Sequence, residues 1–226
     1  MFKKDIPEFA AKLNEMFPDA KTELIFHNEF QLLIAILMSA QATDKQVNIV
    51  NRNFFNFLVT PQDWVNMDLD YIKEFINSIS FFNNKAANIK KTSKILVEQY
   101  DSKIPKTIEQ LTTLPGVGIK TAKVFLAVIE DAPYIGVDTH VHRVLNRLGL
   151  VNTKSPNETD KKISKWFTKQ NHWMLHNTLV LFWRYHCIAR KPKCETCPFQ
   201  EKCKYYKQVY LKQKILEEKQ KQKKLS

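Results

Sequence analysis

Apolar residues recur along this chain at intervals of three and four, the spacing that places them on one face of a helix. Phe30, Leu33, Ile34, Leu37 and Met38 make one stripe. Ile89, Ile95 and Leu96 belong to a helix expected from about Asn83 to near Tyr100. Val141, Val144, Leu145 and Leu148 make another, with Gly149 in a helix-terminating position. Leu175, Leu179, Phe182 and Trp183 make a fourth, and TIEQLTT at 107–113 reads as a short helix. No alternating strand run, Asn-Gly hairpin or internal repeat interrupts these stripes, so the expected fold class is all-α. The end of the chain, KQKILEEKQKQKKLS at 212–226, is of low complexity and is expected to fray or to be disordered.

The 226 residues leave room for one large or two small domains. The longest apolar run, LLIAILMSA at 32–40, is too short to span a bilayer, and the first residues, MFKKDIPEFAAKLNEMF, have no apolar signal-peptide core. These features point to a soluble, intracellular protein with no membrane role. The formal net charge is +12. Half of it lies in Lys204–Ser226, where eight lysines face two glutamates, and the rest is spread over the remainder of the chain. A polyanion, nucleic acid first among them, is the simplest partner of such a charge.

Only four glycines occur, and two of them, Gly116 and Gly118, fall in TTLPGVGIKTAKVF at 112–125. Leu114-Pro115 ends the helix before them, the glycines can take positive φ and admit a close neighbour, and a helix restarts near Ile119. The amides that open that helix have no intrahelical partner and suit a phosphate. A helix, a glycine hairpin and a second helix therefore form a device for gripping DNA through its backbone without reading sequence; an ordinary helix–helix turn has the same outline. Lys120 follows at once. Ile119, Ala122, Leu126 and Ile129 are expected to wall it on one side and Val124 and Val128 on the other, at the positive end of a helix dipole, a setting that depresses an amine pKa. A neutral amine can form a Schiff base.

Asp138, in GVDTHVHRVLNRLGL at 136–150, precedes a helix and is a favoured N-cap residue. The helix from Lys120 rises roughly 15 Å and the connection 131–138 reaches roughly 26 Å, so the chain is long enough to bring this carboxylate back toward the lysine. The third motif is CIARKPKCETCPFQEKC at 187–203, which holds all four cysteines with spacing C-x6-C-x2-C-x5-C. A CxxC of this kind favours metal over disulfide in an intracellular protein, and both zinc and iron–sulfur remain open on spacing alone. Arg190, Lys191 and Lys193 decorate its first loop and can meet phosphate.

Together LPGVGIKTA, VDTHVHR, the cysteine spacing and SAQATD at 39–44 resemble the endonuclease III family of DNA glycosylases, over about residues 22–205. The resemblance implies a two-lobed helix-hairpin-helix fold. Residues 22–132 would form a six-helix barrel domain with the hairpin, residues 1–21 and 133–211 a terminal helical domain with the cluster loop, and 212–226 a basic tail. DNA would lie between the lobes. The resemblance also implies a 4Fe-4S cluster on Cys187, Cys194, Cys197 and Cys203, with Lys120 as nucleophile and Asp138 as essential carboxylate. Gln41 would fill the gap left by an extruded base, and extrusion is required because C1′ of a stacked nucleotide is shielded. Phe81, Leu114, Gly116, Gly118, His140, Arg190 and Lys191 would meet the DNA. The implied activity is excision of oxidised or damaged pyrimidines followed by β-elimination, on double-stranded DNA carrying such bases or abasic sites. The implied state is a monomer in the cytoplasm, on the nucleoid in a bacterium.

Two positions depart from the family pattern. Ser80-Phe81-Phe82 stands where Gly-Leu-Tyr is frequent, and His142 where an apolar residue is common. Adenine-mismatch glycosylases share the cysteine cluster but lack the lysine and carry a further domain. A non-catalytic DNA-binding module that senses redox state is the reading from another class.

Overall fold

The computed structural model describes residues 3–130, 132, 134–164, 166 and 172–225. The chain divides into two compact units, one from Thr22 to Ala132, the other combining Met1–Lys21 with Pro133–Ser226. Among the described residues there is no strand, and no helix is long and apolar enough to cross a membrane.

The terminal unit begins with α1 (Ile6–Met16), which has a proline in its first turn and buries Phe9 and Leu13. The chain then enters the other unit. There α2 (Glu29–Ser39) starts where the Asn28 side chain accepts the Gln31 N–H, and every residue from Phe30 to Met38 is buried. It is thus a central helix, covered on all sides, rather than a helix with one apolar stripe. It packs against α3 (Asp44–Phe54), α6 (Phe82–Tyr100) and α8 (Ile119–Ile129), while α4 (Pro61–Asn66) and α5 (Leu69–Phe75) pack on α6 and the short α7 (Ile108–Leu111) on α8. Capping boxes at Thr43 and Thr60 start α3 and α4, each satisfying two otherwise orphaned amides. Lys106 bridges Glu29 at 2.6 Å and Glu130 at 2.9 Å, which ties the start of α2 to the end of α8.

Back in the terminal unit, α9 (Thr139–Leu148) buries Val141, Val144, Leu145 and Leu148 and ends at Gly149 with φ 80°. With α10 (Pro156–Ile163) and α11 (His172–Leu181) it closes around Phe9, Leu13, Leu175, Leu179, Phe182 and Phe199. A widened helical turn, Phe182–His186, delivers the chain to the first cysteine. The tail differs from expectation. It continues as a helix, α12 (Leu211–Leu225), where fraying or disorder is the expectation from composition. Lys, Gln, Glu and Leu are strong helix formers, and Lys214 pairs with Glu195.

Candidate active site and metal centre

In the 22–132 unit the hairpin is built by local bonds. Leu114 N–H donates to Leu111 O at 3.1 Å, Val117 N–H to Leu114 O at 3.0 Å, and the buried Thr92 hydroxyl of α6 donates to Pro115 O at 3.0 Å. The two glycines act differently. Gly116 has φ 82°, and a Cβ there would meet Asn88 Nδ2 at 3.0 Å, so both conformation and space require glycine. Gly118 has φ −90° and nothing within 4 Å, so only one of the pair uses positive φ. Gly118 is the N-cap of α8 and offers no capping side chain. Bare backbone opens the helix, with its positive dipole end aimed outward.

Lys120 is exposed, not walled by apolar neighbours. Ile119, expected on an apolar face, is itself 60% exposed, and the face that α8 buries is Ala122, Phe125, Leu126 and Ala127. Leu114, expected at the DNA, is only 2% exposed; its side chain anchors the hairpin from inside.

Gln41 and Phe81, far apart in sequence, line one cavity of about 220 Å³ with Leu37, Ala40, Lys85, Asn88 and Gly116. Both stand in the left-handed region, Gln41 at φ 58° and Phe81 at φ 59°, and both are exposed. A non-glycine residue held there stores strain of about 1–3 kcal/mol.

In the terminal unit, Asp138 is the N-cap of α9, its Oδ1 accepting His140 N–H at 2.9 Å and Val141 N–H at 2.8 Å. The helix start is thereby locked. Asp131 and Pro133, in the connection before it, lie outside the described residues. His140 is half-buried, stacked on Trp183 at 4.0 Å, and receives Arg143 at Nδ1 at 2.9 Å. His142 proves to be structural: its Nδ1 meets Thr159 Oγ1 at 2.6 Å, in a network with Asn146 and Thr153 that joins α9 to α10.

All four cysteines line one cavity, together with Arg147, Phe182, His186, Tyr205 and Tyr206. None is in a disulfide. Four cysteines on one cavity supply one thiolate for each iron of a cubane, so the donor set fits a four-iron cluster. Burial pushes the Cys194 thiol up to about 11 and that of Cys197 up to about 12. Arg147 donates to Cys187 Sγ at 3.7 Å and to the carbonyls of Ile188 and Ala189 at 2.7 and 2.8 Å, and the Tyr206 N–H points to Cys203 Sγ at 3.5 Å. Arg143 reaches Cys187 O at 3.3 Å. Two arginines one turn apart on the helix that Asp138 caps thus hold the cysteine loop. They escaped the sequence reading, and their i, i+4 spacing on the polar side of α9 was the available signal. Arg190 and Lys191 stay exposed on that loop.

A model of the HhH-GPD superfamily of base excision DNA repair proteins matches residues 34–169, which span the hairpin, Lys120 and Asp138. A model of the iron–sulfur binding domain of endonuclease III matches 187–203, from the first cysteine to the last. The fold and both motifs are therefore those of a base excision repair protein with a helix-hairpin-helix core. An endonuclease III of Rickettsia felis is 43% identical over 204 residues, covering 86% of this chain and 93% of its own length. That of Bacillus subtilis is 40% identical over 194 residues, covering 85% and 89%. A trapped endonuclease III–DNA covalent intermediate, an estranged-adenine complex, matches with TM-score 0.87 at 39% identity, covering 92% of this chain and 98% of that one. The chain belongs to the endonuclease III family, and its cofactor is a 4Fe-4S cluster.

Proposed function

We propose that Lys120 is the nucleophile, and Asp138 the charge-stabilising carboxylate, of a bifunctional DNA glycosylase and abasic-site lyase. The protein is a base excision repair enzyme acting on damaged pyrimidines in DNA. The observation that carries the assignment is the position of Lys120: an exposed amine two residues past an uncapped glycine N-cap, on the same helix. Amides that hold a phosphate put the adjoining sugar within reach of that side chain.

Asp138 takes a proton from the Lys120 ammonium and stabilises the positive charge that grows on the sugar. The amine attacks C1′ as the C1′–N bond to the base breaks, and the base leaves with the proton that Asp138 had accepted, which restores the carboxylate opposite the positive sugar. The sugar ring opens to an imine with Nζ. Loss of the C2′ proton then expels the 3′ phosphate, and water releases Lys120 from the cleaved strand. Gln41 and Phe81 occupy the stack vacated by the extruded nucleotide. Gly116 shapes the hairpin, and the amides from Gly118 onward take the phosphate. His140, Arg190 and Lys191 add contacts to the backbone. Cys187, Cys194, Cys197 and Cys203 hold the cluster, which crosslinks the loop 187–203 and supplies no bond-making step. The substrate is duplex DNA with oxidised pyrimidines or abasic sites, and the enzyme works as a monomer in the cytoplasm, on the nucleoid in a bacterium.

Borohydride, which reduces an imine to a stable amine, tests this. Wild-type protein mixed with a duplex containing thymine glycol is expected to become crosslinked, and Lys120→Gln to bind without crosslinking or nicking. Trapping by Lys120→Gln would transfer the role to Lys123 or Lys191. Excision by the wild type without trapping would replace the imine by activated water, and binding without either reaction would make the protein a non-catalytic module.

A further inference from the structure

Among the described residues Lys85 is the only charged side chain that is buried, at 9% exposure. It faces carbonyls rather than a carboxylate. Its Nζ donates to Met38 O at 2.8 Å and to Ala40 O at 2.5 Å. Burial holds its pKa below the usual lysine range. An ammonium in such a place needs a reason, and the end of α2 supplies one. That helix is apolar from Leu32 to Met38 and has no basic residue in its last turn, yet its final carbonyls must find donors. Ser39 Oγ donates to Ile36 O at 2.8 Å and Ala42 N–H to Ser39 O at 3.1 Å. Lys85 serves Met38 and Ala40 and places positive charge at the negative end of the helix dipole.

The residue after Ala40 is Gln41, in the left-handed region. The turn that holds it is fixed on its far side by the capping box of Thr43. Lys85 also reaches the second strained loop, because its own N–H donates to Phe81 O at 3.1 Å. One residue thus bonds both turns, by side chain to the carbonyl before Gln41 and by backbone to the carbonyl of Phe81. All three residues line the same cavity.

We infer that Lys85 is a positioning residue for base extrusion: its side chain holds Gln41 in a left-handed turn beside Phe81 on one cavity, so that Gln41 enters the duplex with its geometry already set. The inference rests on the reading of Gln41 and Phe81 as gap-filling residues. A glutamine side chain that had to order its own backbone on entering the stack would lose that ordering free energy from binding, and the buried ammonium removes the loss.

The test is Lys85→Met, which keeps length and apolar body but has no donor. Its first readout is amide exchange at Ala42, whose N–H closes the turn; exchange is expected to accelerate by at least ~10-fold. The second is a double-mutant cycle with Gln41→Ala in single-turnover excision of thymine glycol from a duplex. Lys85→Met alone is expected to lower the rate by ~10-fold or more, but by less than ~3-fold once Gln41 is alanine, because residues acting through one another are not additive. A merely structural lysine would lower the rate equally in both backgrounds. Lys85→Gln, which retains an amide donor, is read in the same two assays if the methionine variant is recovered unfolded. Unchanged Ala42 exchange, or a full further loss on Gln41→Ala, overturns the inference. Faster exchange with a Gln41→Ala protein that excises normally leaves the Lys85 contact standing and sinks the gap-filling role of Gln41 instead.

Discussion

Asp138→Asn separates the cap that this side chain makes from the charge-stabilising role proposed for it. Oδ1 of Asp138 accepts two amides of α9, at 2.9 and 2.8 Å, and asparagine presents the same oxygen in the same place. Asparagine caps about as well as aspartate, whereas loss of a cap altogether costs about 0.5–2 kcal/mol. What the substitution removes is the charge, whose interaction with a helix N-terminus contributes about 0.3–1 kcal/mol. For a chain of this size 1 kcal/mol moves the melting temperature by about 2–4 °C. Asp138→Asn is therefore expected to melt within ~4 °C of wild type, and Asp138→Ala up to ~8 °C below it. The catalytic effect is of another size. Removal of one general base or one preorganised charge lowers a rate by about 10²–10³-fold, or about 3–4 kcal/mol of barrier. The assays are thermal unfolding by circular dichroism and single-turnover excision on a thymine glycol duplex, run on the same preparations. If Asp138→Asn loses stability and activity in step, or if Asp138→Ala and Asp138→Asn differ in rate as they differ in stability, the carboxylate acts mainly as a cap and the catalytic assignment falls.

Gly116→Ala is expected to destabilise by about 1–2 kcal/mol, because it forces a side chain to φ 82° against Asn88; an unchanged melting curve would contradict the hairpin geometry. Gly118→Ala meets nothing within 4 Å and is expected to leave the fold intact while weakening DNA binding, because it adds a side chain at the helix start proposed to take the phosphate. Iron removal, or Cys197→Ala, is expected to lose the ordered 187–203 loop and DNA affinity while most helical signal from residues 22–132 survives, read by circular dichroism and binding titration. Because burial raises the thiols of Cys194 and Cys197, which are protonated until the metal takes them, cluster reassembly in the apoprotein releases protons and is favoured as pH rises. Reconstitution followed by iron content is expected to be more complete at about pH 8.5 than at about pH 6.5, and a flat profile would oppose proton release from the thiols.

Much of this protein was legible without coordinates, for local reasons. A helical period, a Gly149 stop, a glycine pair before a lysine and a four-cysteine spacing are properties of adjacent residues, and adjacent residues settle hydrogen bonding within a helix or a turn. The same locality explains the failures. Lys120 looked walled because the helix was read as an isolated cylinder, whereas its exposure depends on where the core stops. Leu114 belonged to a DNA-contacting motif by position, yet packing turned its side chain inward. Gly116 and Gly118 are the same letter two residues apart, and only the nearby Asn88 side chain and the observed φ separate a required glycine from a permissive one. The composition of the tail reports the absence of a core and says nothing of the Lys214–Glu195 ion pair. Lys85 was one lysine among many in the sequence. Its partners lie 45 and 47 residues away, and the left-handed turns at Gln41 and Phe81 have no glycine to betray them. A buried charge and a strained turn exist only where distant segments of chain hold them, and that is what tertiary structure alone decided.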